Sequence, residues 1–200
     1  MRTGIFGGTF NPVHNGHIHL ARTYFDALRL DRMLVIPTHL PPHKAGEALA
    51  GGEDRLAMCR RAFEDLPGFT ASDIELRRGE KSYTVDTLEQ LAKEYPDDQF
   101  YLIMGSDMFL TLTEWRDWRR ICELAVICAG ARDPALCGKL AERRKMLEAR
   151  GVRCELVELD PLPISSTLVR ERVREKKPLG GLVPPAVAAY IDTHGLYQTL

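Results

Sequence analysis

The sequence predicts an α/β fold with a mostly parallel sheet, and three observations carry that prediction. Short apolar runs alternate with amphipathic stretches of helical length, several of the runs end in loops rich in glycine, proline or histidine, and the chain finishes in a segment that reads as helical. Such alternation implies βαβ units with right-handed crossovers, hence a Rossmann-like, doubly wound sheet followed by a helical C-terminal segment from about residue 164. In open sheets of this kind ligands lie beyond the carboxyl ends of the strands, so the loops that follow strands are where chemistry is expected.

Taken in order, the apolar runs predict strands at 2–6, 32–37, 69–74, 99–104, 124–129 and 152–156. Between the first two, Ile18, Ala21, Phe25 and Leu28 recur at spacings of three or four and predict a helix over 17–30. The stretch 134–150 opens with Asp133-Pro134, a good N-cap and first-turn pair, and stops at Gly151. Helical patterns resume at 166–176 and 184–194. Pro161-Leu162-Pro163 and Pro178-Leu179-Gly180-Gly181 read as turns, no repeat or low-complexity segment interrupts the pattern, and the 200 residues are expected to form a single domain.

Composition excludes several function classes. An apolar content of 44% and a charged content of 28% are those of an ordinary globular protein. A formal net charge of −1 offers no broad field for nucleic acid or an acidic membrane, though it permits a local basic site. The first residues are too short an apolar run for a signal sequence, and nothing approaches the roughly 18 apolar residues of a membrane span. Cys59, Cys122, Cys128, Cys137 and Cys154 form no CxxC pair and mostly fall in apolar segments, which suits reduced thiols in a cytoplasmic protein. A homo-oligomer is compatible with all of this.

The first post-strand loop is Gly7-Gly8-Thr9-Phe10-Asn11-Pro12-Val13-His14-Asn15-Gly16-His17. Two glycines let backbone N–H groups approach a ligand, the helix start adds unpaired N–H donors and a positive dipole end, and His14 and His17 share one side. Together they suit a polyphosphate. The loop is neither GxxxxGK[ST] nor GxGxxG, so neither the Walker nor the dinucleotide fingerprint explains it. Zinc is the competing reading, because His14, His17, His19, His39 and His43 cluster early in the chain. His17 and His19 diverge on a helix and no cysteine or nearby carboxylate completes a tetrahedral set, so no protein-held metal is expected.

Here the residues carry a resemblance. The loop is similar to the signature of the HxGH nucleotidyltransferase superfamily, with His14-Asn15-Gly16-His17 a full match, and it stands in a strand–glycine loop–helix frame. A second signature, Ile164-Ser165-Ser166-Thr167-Leu168-Val169-Arg170, resembles ISSTxxR. On physics alone it is a helix cap whose hydroxyls satisfy free N–H groups, with an arginine one turn on that can fork onto phosphate oxygens. The two signatures in this order resemble that superfamily, and together with the Pro41-Pro42-His43-Lys44, Tyr83-Thr84 and Trp115 segments taken up below they make the chain resemble its bacterial nicotinate mononucleotide adenylyltransferases from residue 2 to about 197. The resemblance implies transfer of AMP from ATP, as its Mg²⁺ complex, to nicotinate mononucleotide. In it His14, His17 and Arg170 are catalytic, while Gly7, Gly8, Thr9, Phe10, Ser165 and Ser166 hold ATP.

The remaining candidates follow other strands. Pro37-Thr38-His39-Leu40-Pro41-Pro42-His43-Lys44 resembles the family's PP-H-K loop and implies that Lys44 lies near the triphosphate, with His43 beside it; on sequence alone it is a proline-stiffened turn. Gly105-Ser106-Asp107 permits a tight turn in which Asp107 caps the next helix, and the family's matching G-x-D segment contacts the adenosine. Lys81-Ser82-Tyr83-Thr84-Val85-Asp86-Thr87 reads as an N-cap region; it resembles the S-Y-T-x-D-T segment, which implies that Tyr83 and Thr84 face the nicotinate carboxylate. Trp115 sits in polar context, where stacking a pyridinium ring on indole is worth roughly 1–2 kcal/mol. It resembles the ring-stacking aromatic of the nicotinate branch, whereas Trp118 reads as core. Where many relatives have Gly-Ser-Phe-Asp, this chain has Gly8-Thr9-Phe10-Asn11. The rivals are pantetheine-phosphate adenylyltransferase, an amide-preferring pyridine enzyme, a silent nucleotide- or RNA-binding relative and, least favoured, a zinc hydrolase.

Overall fold

Near-continuous runs such as Phe100-Tyr101-Leu102-Ile103-Met104 and Val126-Ile127-Cys128-Ala129 are what a parallel strand covered on both faces requires, and all of these side chains are buried. The structure, a computed structural model, describes residues 1–40, 49–79, 81–131 and 134–198. In chain order the elements are β1 (Arg2–Gly8), α1 (Asn15–Ala27), β2 (Arg32–Pro37), α2 (Gly52–Phe63), β3 (Phe69–Ala71) and α3 (Ile74–Arg78). There follow α4 (Thr84–Glu94), β4 (Gln99–Gly105), α5 (Ser106–Leu110), a 3-10 turn (Leu112–Glu114) and α6 (Trp118–Leu124). The last are β5 (Ala125–Ala131), α7 (Pro134–Glu148), β6 (Cys154–Glu158), α8 (Ser166–Arg174) and α9 (Pro185–Thr193).

The sheet runs β3-β2-β1-β4-β5-β6, and the pairs β1–β4, β4–β5 and β5–β6 are parallel. This is the order of a doubly wound, Rossmann-like α/β fold, with its reversal between β1 and β4. All six strands begin within two residues of the positions that the apolar runs predict. One expectation fails: the strand over 69–74 stops at Ala71, and Ile74 opens α3. The reason is local. The Ser72 hydroxyl accepts the Ile74 N–H at 3.4 Å, and the Asp73 carbonyl accepts the Arg77 N–H, so the backbone turns into a helix.

The chain divides into two compact units. The first comprises residues 1–7, 23–33 and 83–160. Its core is β1, β4, β5 and β6, with α4 against α6 and α7 against β5 and β6. The partly buried Asp98 carboxylate ties this unit together, accepting from Thr3 Oγ1 and Arg32 Nη2, each at 2.6 Å. The second comprises residues 8–22, 34–82 and 161–200, where α2 packs against β3 and α9. Of the cysteines, Cys59, Cys122, Cys128 and Cys154 are buried and Cys137 is exposed. Burial pushes the Cys122 thiol up to about 11 and the Cys154 thiol up to about 12, so both stay protonated and inert at neutral pH.

Candidate active site

The two signatures meet in the second unit. α1 starts where the His14 carbonyl accepts the N–H groups of His17 and Ile18 at 2.8 and 3.2 Å. The Asn15 N–H and side-chain amide donate to the carbonyls of Leu182 and Gly181. α8 starts with Ser165 as N-cap, its hydroxyl accepting the Leu168 N–H at 3.1 Å. Ser166 Oγ donates to the Pro12 carbonyl at 2.8 Å, and Arg170 Nη1 donates to the Asn11 carbonyl at 2.8 Å. Residues about 150 apart in sequence are thereby bound to one loop, and two helix N-termini with their positive dipole ends open from it.

The two histidines form a pair. Their ring centroids are 3.7 Å apart with planes tilted by 30°, and His17 also meets the edge of Phe10 at 5.0 Å. The His14 backbone N–H donates to Nδ1 of His17 at 3.2 Å. That bond makes Nδ1 an acceptor, so in the neutral ring the proton sits on Nε2, which is then a donor for an anionic oxygen. Of the two residues between them, Gly16 sits where a side chain would crowd the His14 ring. A Cβ on Gly16 would lie 3.0 Å from Nδ1 and 3.1 Å from Cε1 of His14. Gly8 serves in the same way, since a Cβ there would lie 2.9 Å from the Phe10 ring. Phe10 itself has φ +47°, a left-handed conformation that costs a residue with a side chain about 1–3 kcal/mol.

A buried arginine anchors this loop. Arg55 on α2 is 2% exposed, and its guanidinium donates to the carbonyls of Thr9 (2.9 Å), Thr38 (2.7 Å), His39 (3.3 Å) and Ala50 (3.0 Å). Burial lowers its pKa, against the raising influence of Tyr197, Cys59 and Glu75. Asn11 is 4% exposed, and its Oδ1 accepts both the Ala50 N–H and the Tyr197 hydroxyl at 3.0 Å. Burial raises the Tyr197 hydroxyl well above its usual pKa, which keeps it a donor, although Arg170 and Arg55 pull the other way.

Sequence reasoning missed all three. Arg55 had a legible signal, because it stands three, four and seven residues before Met58, Cys59 and Ala62, on the apolar stripe of α2. Asn11 was noted only as a departure from the family's Gly-Ser-Phe-Asp, yet its amide oxygen is the acceptor on which two other segments converge. Tyr197 had no signal.

The other candidates stand in the first unit, except Lys44 and its neighbour His43, which lie outside the described residues, as does Asp133. Gly7 lies one residue before the end of β1 and Gly105 ends the adjacent β4, the β1–β4 register running to Phe6 opposite Ile103, so both stand at the reversal of strand order. Asp107 does not cap α5: Gly105 is the N-cap, and Asp107 is an exposed first-turn residue whose carbonyl accepts from Thr111. The cap moves upstream because the helix begins as soon as β4 ends. Tyr83 is the N-cap of α4 without a side-chain cap bond, and Thr84 opens the helix. Arg116, next to Trp115, lays its guanidinium 4.7 Å over the Tyr83 ring and approaches Asp86 at 3.8 Å. The Tyr83–Thr84 and Trp115 segments are thus neighbours, with the Trp115 ring half-buried. Among the described residues no group of three or more His, Cys, Asp and Glu side chains has metal-holding geometry, and no helix is long and apolar enough to cross a membrane.

A family model described as cytidylyltransferase-like matches residues 5–172. A protein from Roseiflexus sp., described as a probable nicotinate-nucleotide adenylyltransferase, is 44% identical over 195 residues, covering 98% of this chain and 97% of its own. One from Syntrophotalea carbinolica with the same description is 38% identical over 214 residues, covering 100% of this chain and 98% of its own. The solved Plasmodium falciparum nicotinic acid mononucleotide adenylyltransferase complexed with NaAD superposes with a TM-score of 0.73 over 98% of this chain and 97% of its own; at 18% identity it bears on the fold. The paired histidines, the serine-capped α8 and these full-length relatives agree: the chain belongs to the cytidylyltransferase-like family and, within it, to the nicotinate-nucleotide adenylyltransferases.

Proposed function

We infer that the chain transfers AMP from ATP to nicotinate mononucleotide, giving nicotinate adenine dinucleotide and pyrophosphate in NAD biosynthesis. The observation that carries the chemistry is the His14–His17 pair at the mouth of two helix N-termini. A 5′-phosphate oxygen of the mononucleotide attacks the α-phosphorus of ATP in line. An oxygen–phosphorus bond forms there as the bond to the β-phosphate bridging oxygen breaks, and pyrophosphate leaves with the electron pair. The nucleophile is already anionic, so no side chain takes its proton and no covalent enzyme intermediate is required. What remains for the protein is positioning and neutralisation of negative charge.

Each group in the second unit has a part in that task. His17 offers Nε2–H to a phosphate oxygen, and His14, stacked on it, fixes its orientation and adds a second imidazole. Gly8, Thr9 and Phe10 contribute backbone N–H groups, Ser165 and Ser166 the start of α8, and Arg170 a guanidinium already steadied on the Asn11 carbonyl. Lys44 we assign to the triphosphate of ATP. In the first unit we assign Gly7, Gly105 and Asp107 to the adenosine and Tyr83, Thr84 and Trp115 to the pyridine ring and its carboxylate. Mg²⁺ carried by the triphosphate as part of the substrate would supply charge to offset that of the departing pyrophosphate. Each unit draws on three separate stretches of chain, and we take the two as one nucleotidyltransferase domain working in the cytoplasm.

Mg²⁺-dependent pyrophosphate release from ATP tests this reading, with nicotinate mononucleotide, nicotinamide mononucleotide and phosphopantetheine supplied in parallel. The expected result is a clear preference for the first, with nicotinate adenine dinucleotide as product. Release with phosphopantetheine alone would keep the chemistry and overturn the roles of Tyr83, Thr84 and Trp115. ATP binding with no release on any acceptor would overturn the catalytic reading.

A further inference from the structure

Arg55 is the largest fully buried side chain of the described residues, and it carries a formal charge. Its guanidinium donates to four backbone carbonyls that belong to three segments: Thr9 in the glycine loop, Thr38 and His39 after β2, and Ala50 ahead of α2. A buried cation whose hydrogen bonds go to main-chain carbonyls, with Glu75 acting on it through charge, fixes the directions of those peptides. In a planar trans peptide the N–H points opposite to the C=O. Holding the Thr9 carbonyl on Arg55 therefore turns the Phe10 N–H away from the guanidinium. Holding the Thr38 carbonyl turns the His39 N–H away as well, and that group donates to Ser82 Oγ at 3.0 Å.

Two features show that the loop needs such a hold. Phe10 sits at φ +47°, which a residue with a side chain rarely adopts, and it follows directly on the Thr9 carbonyl. The same loop is also tied by the bond from Arg170 to the Asn11 carbonyl and by the bonds from Ala50 and Tyr197 to Asn11 Oδ1. Phe10 in turn packs on His17.

We propose that Arg55 is a positioning residue for the reaction: from beneath the glycine loop it sets the peptide directions around Thr9 and Phe10, and through Phe10 the ring of His17, that receive the polyphosphate of the nucleotide. Arg55 touches no substrate and acts through the loop. The proposal rests on the phosphate-binding reading of that loop and goes beyond it, because it assigns the preorganisation of the site to a side chain on α2. Its consequence is selective. Loss of Arg55 weakens use of ATP and leaves recognition of the pyridine mononucleotide near its native level.

The test uses the full chain with Arg55→Lys and Arg55→Gln, both assayed well below their unfolding midpoints. Lysine keeps the charge but offers a single nitrogen, so it cannot span four carbonyls in three segments. Expected are a fall of about 10- to 100-fold in kcat/KM for ATP in Arg55→Gln, a smaller fall in Arg55→Lys, and a KM for nicotinate mononucleotide within about 3-fold of wild type. Binding of inorganic tripolyphosphate, read by calorimetry without any turnover, is expected to weaken in the same order. Folded variants with native kcat/KM for ATP and native tripolyphosphate binding would overturn the proposal. So would equal losses for both substrates, or failure of both variants to fold, either of which makes Arg55 a stability residue only. If tripolyphosphate binding by the full chain depends on Arg55 but no pyrophosphate is released with any acceptor, the adenylyl-transfer reading fails and the positioning role stands.

Discussion

Buried polar groups are distributed unevenly between the two units. The second unit holds Asn11, His14, Arg55, Glu75 and Ser82 below the surface, whereas among the described residues of the first the buried polar side chains are Thr3 and Thr87. The assigned groups of the first unit stand at or near the surface, with Gly105 and Asp107 exposed and Tyr83, Thr84 and Trp115 half-buried; His17, Ser166 and Arg170 of the second are half-buried too, but they rest on that buried polar layer. The difference follows from what each set has to do. Charge that develops on a transferring phosphoryl group is stabilised only by donors already in place, and donors are kept in place by buried, mutually bonded partners. A flat ring and a small carboxylate need an accessible aromatic face and a few donors at a helix start.

The sharpest way to break this contrast is at its catalytic end. His17→Ala removes the Nε2–H donor and the partner of the His14 ring. Turnover is expected to fall about 10²- to 10³-fold, while stability changes by under about 1 kcal/mol, because the ring is only half-buried. Steady-state kinetics beside thermal unfolding checks this. A parallel loss of both would move His17 from the chemistry to the fold.

The next effect concerns the first unit, whose tightest polar cluster centres on Asp98. Its side chain is 9% exposed and accepts from Thr3, Arg32 and the terminal ammonium. Burial, the largest single influence, pushes the carboxyl up, but those hydrogen bonds and charges outweigh it and hold the pKa below its ordinary value. A depressed carboxyl contributes stability that is present above the unfolded value and is lost as pH falls through the folded one. Asp98→Asn is therefore expected to cost about 2 kcal/mol at neutral pH. The cost shrinks as pH drops below about 4, and kcat does not change at all. Denaturant unfolding across that range, with kinetics at neutral pH, decides it. A drop in kcat would mean that polar density in this unit also serves the reaction.

How much of this was legible in the sequence depends on how local each feature is. The strand runs and the two signatures were readable, because a parallel strand needs uninterrupted apolar residues and a phosphate site needs glycines, histidines and a capped helix at short spacing. Both ends of β2 match the expectation residue for residue. The end of β3 was not readable, because hydrogen bonds of Ser72 and Asp73 override an apolar Ile74 that suits strand or helix equally. The cap of α5 was assigned to Asp107, whereas Gly105 holds it without any side-chain bond. The interior hub was also hidden: the link from Asn11 to Tyr197 spans 186 residues, and no spacing rule reaches that far.

At the surface end of the contrast, Trp115→Ala removes the assigned stacking face from a half-buried position. The KM for nicotinate mononucleotide is expected to rise about 10-fold, as loss of roughly 1–2 kcal/mol of stacking requires, with the KM for ATP little changed. Initial-rate measurements with each substrate varied in turn read this directly. A larger effect on ATP would mean that Trp115 supports the nucleotide side of the reaction and that surface position is no guide to role in this enzyme.

The smallest effect probes how far the interior hub is shared. Tyr197→Phe keeps the buried ring and deletes only the hydroxyl that donates to Asn11 Oδ1. That oxygen retains the Ala50 N–H, so no acceptor is left unmet, and the expected loss is about 1 kcal/mol of stability. If the hub works as one structure, the KM for ATP shifts by about 2- to 3-fold in the same direction as in Arg55→Gln, and a double variant loses less than the sum of the two. Strict additivity would separate Tyr197 from the loop, leaving Arg55 and Arg170 as the side chains that hold it from either side.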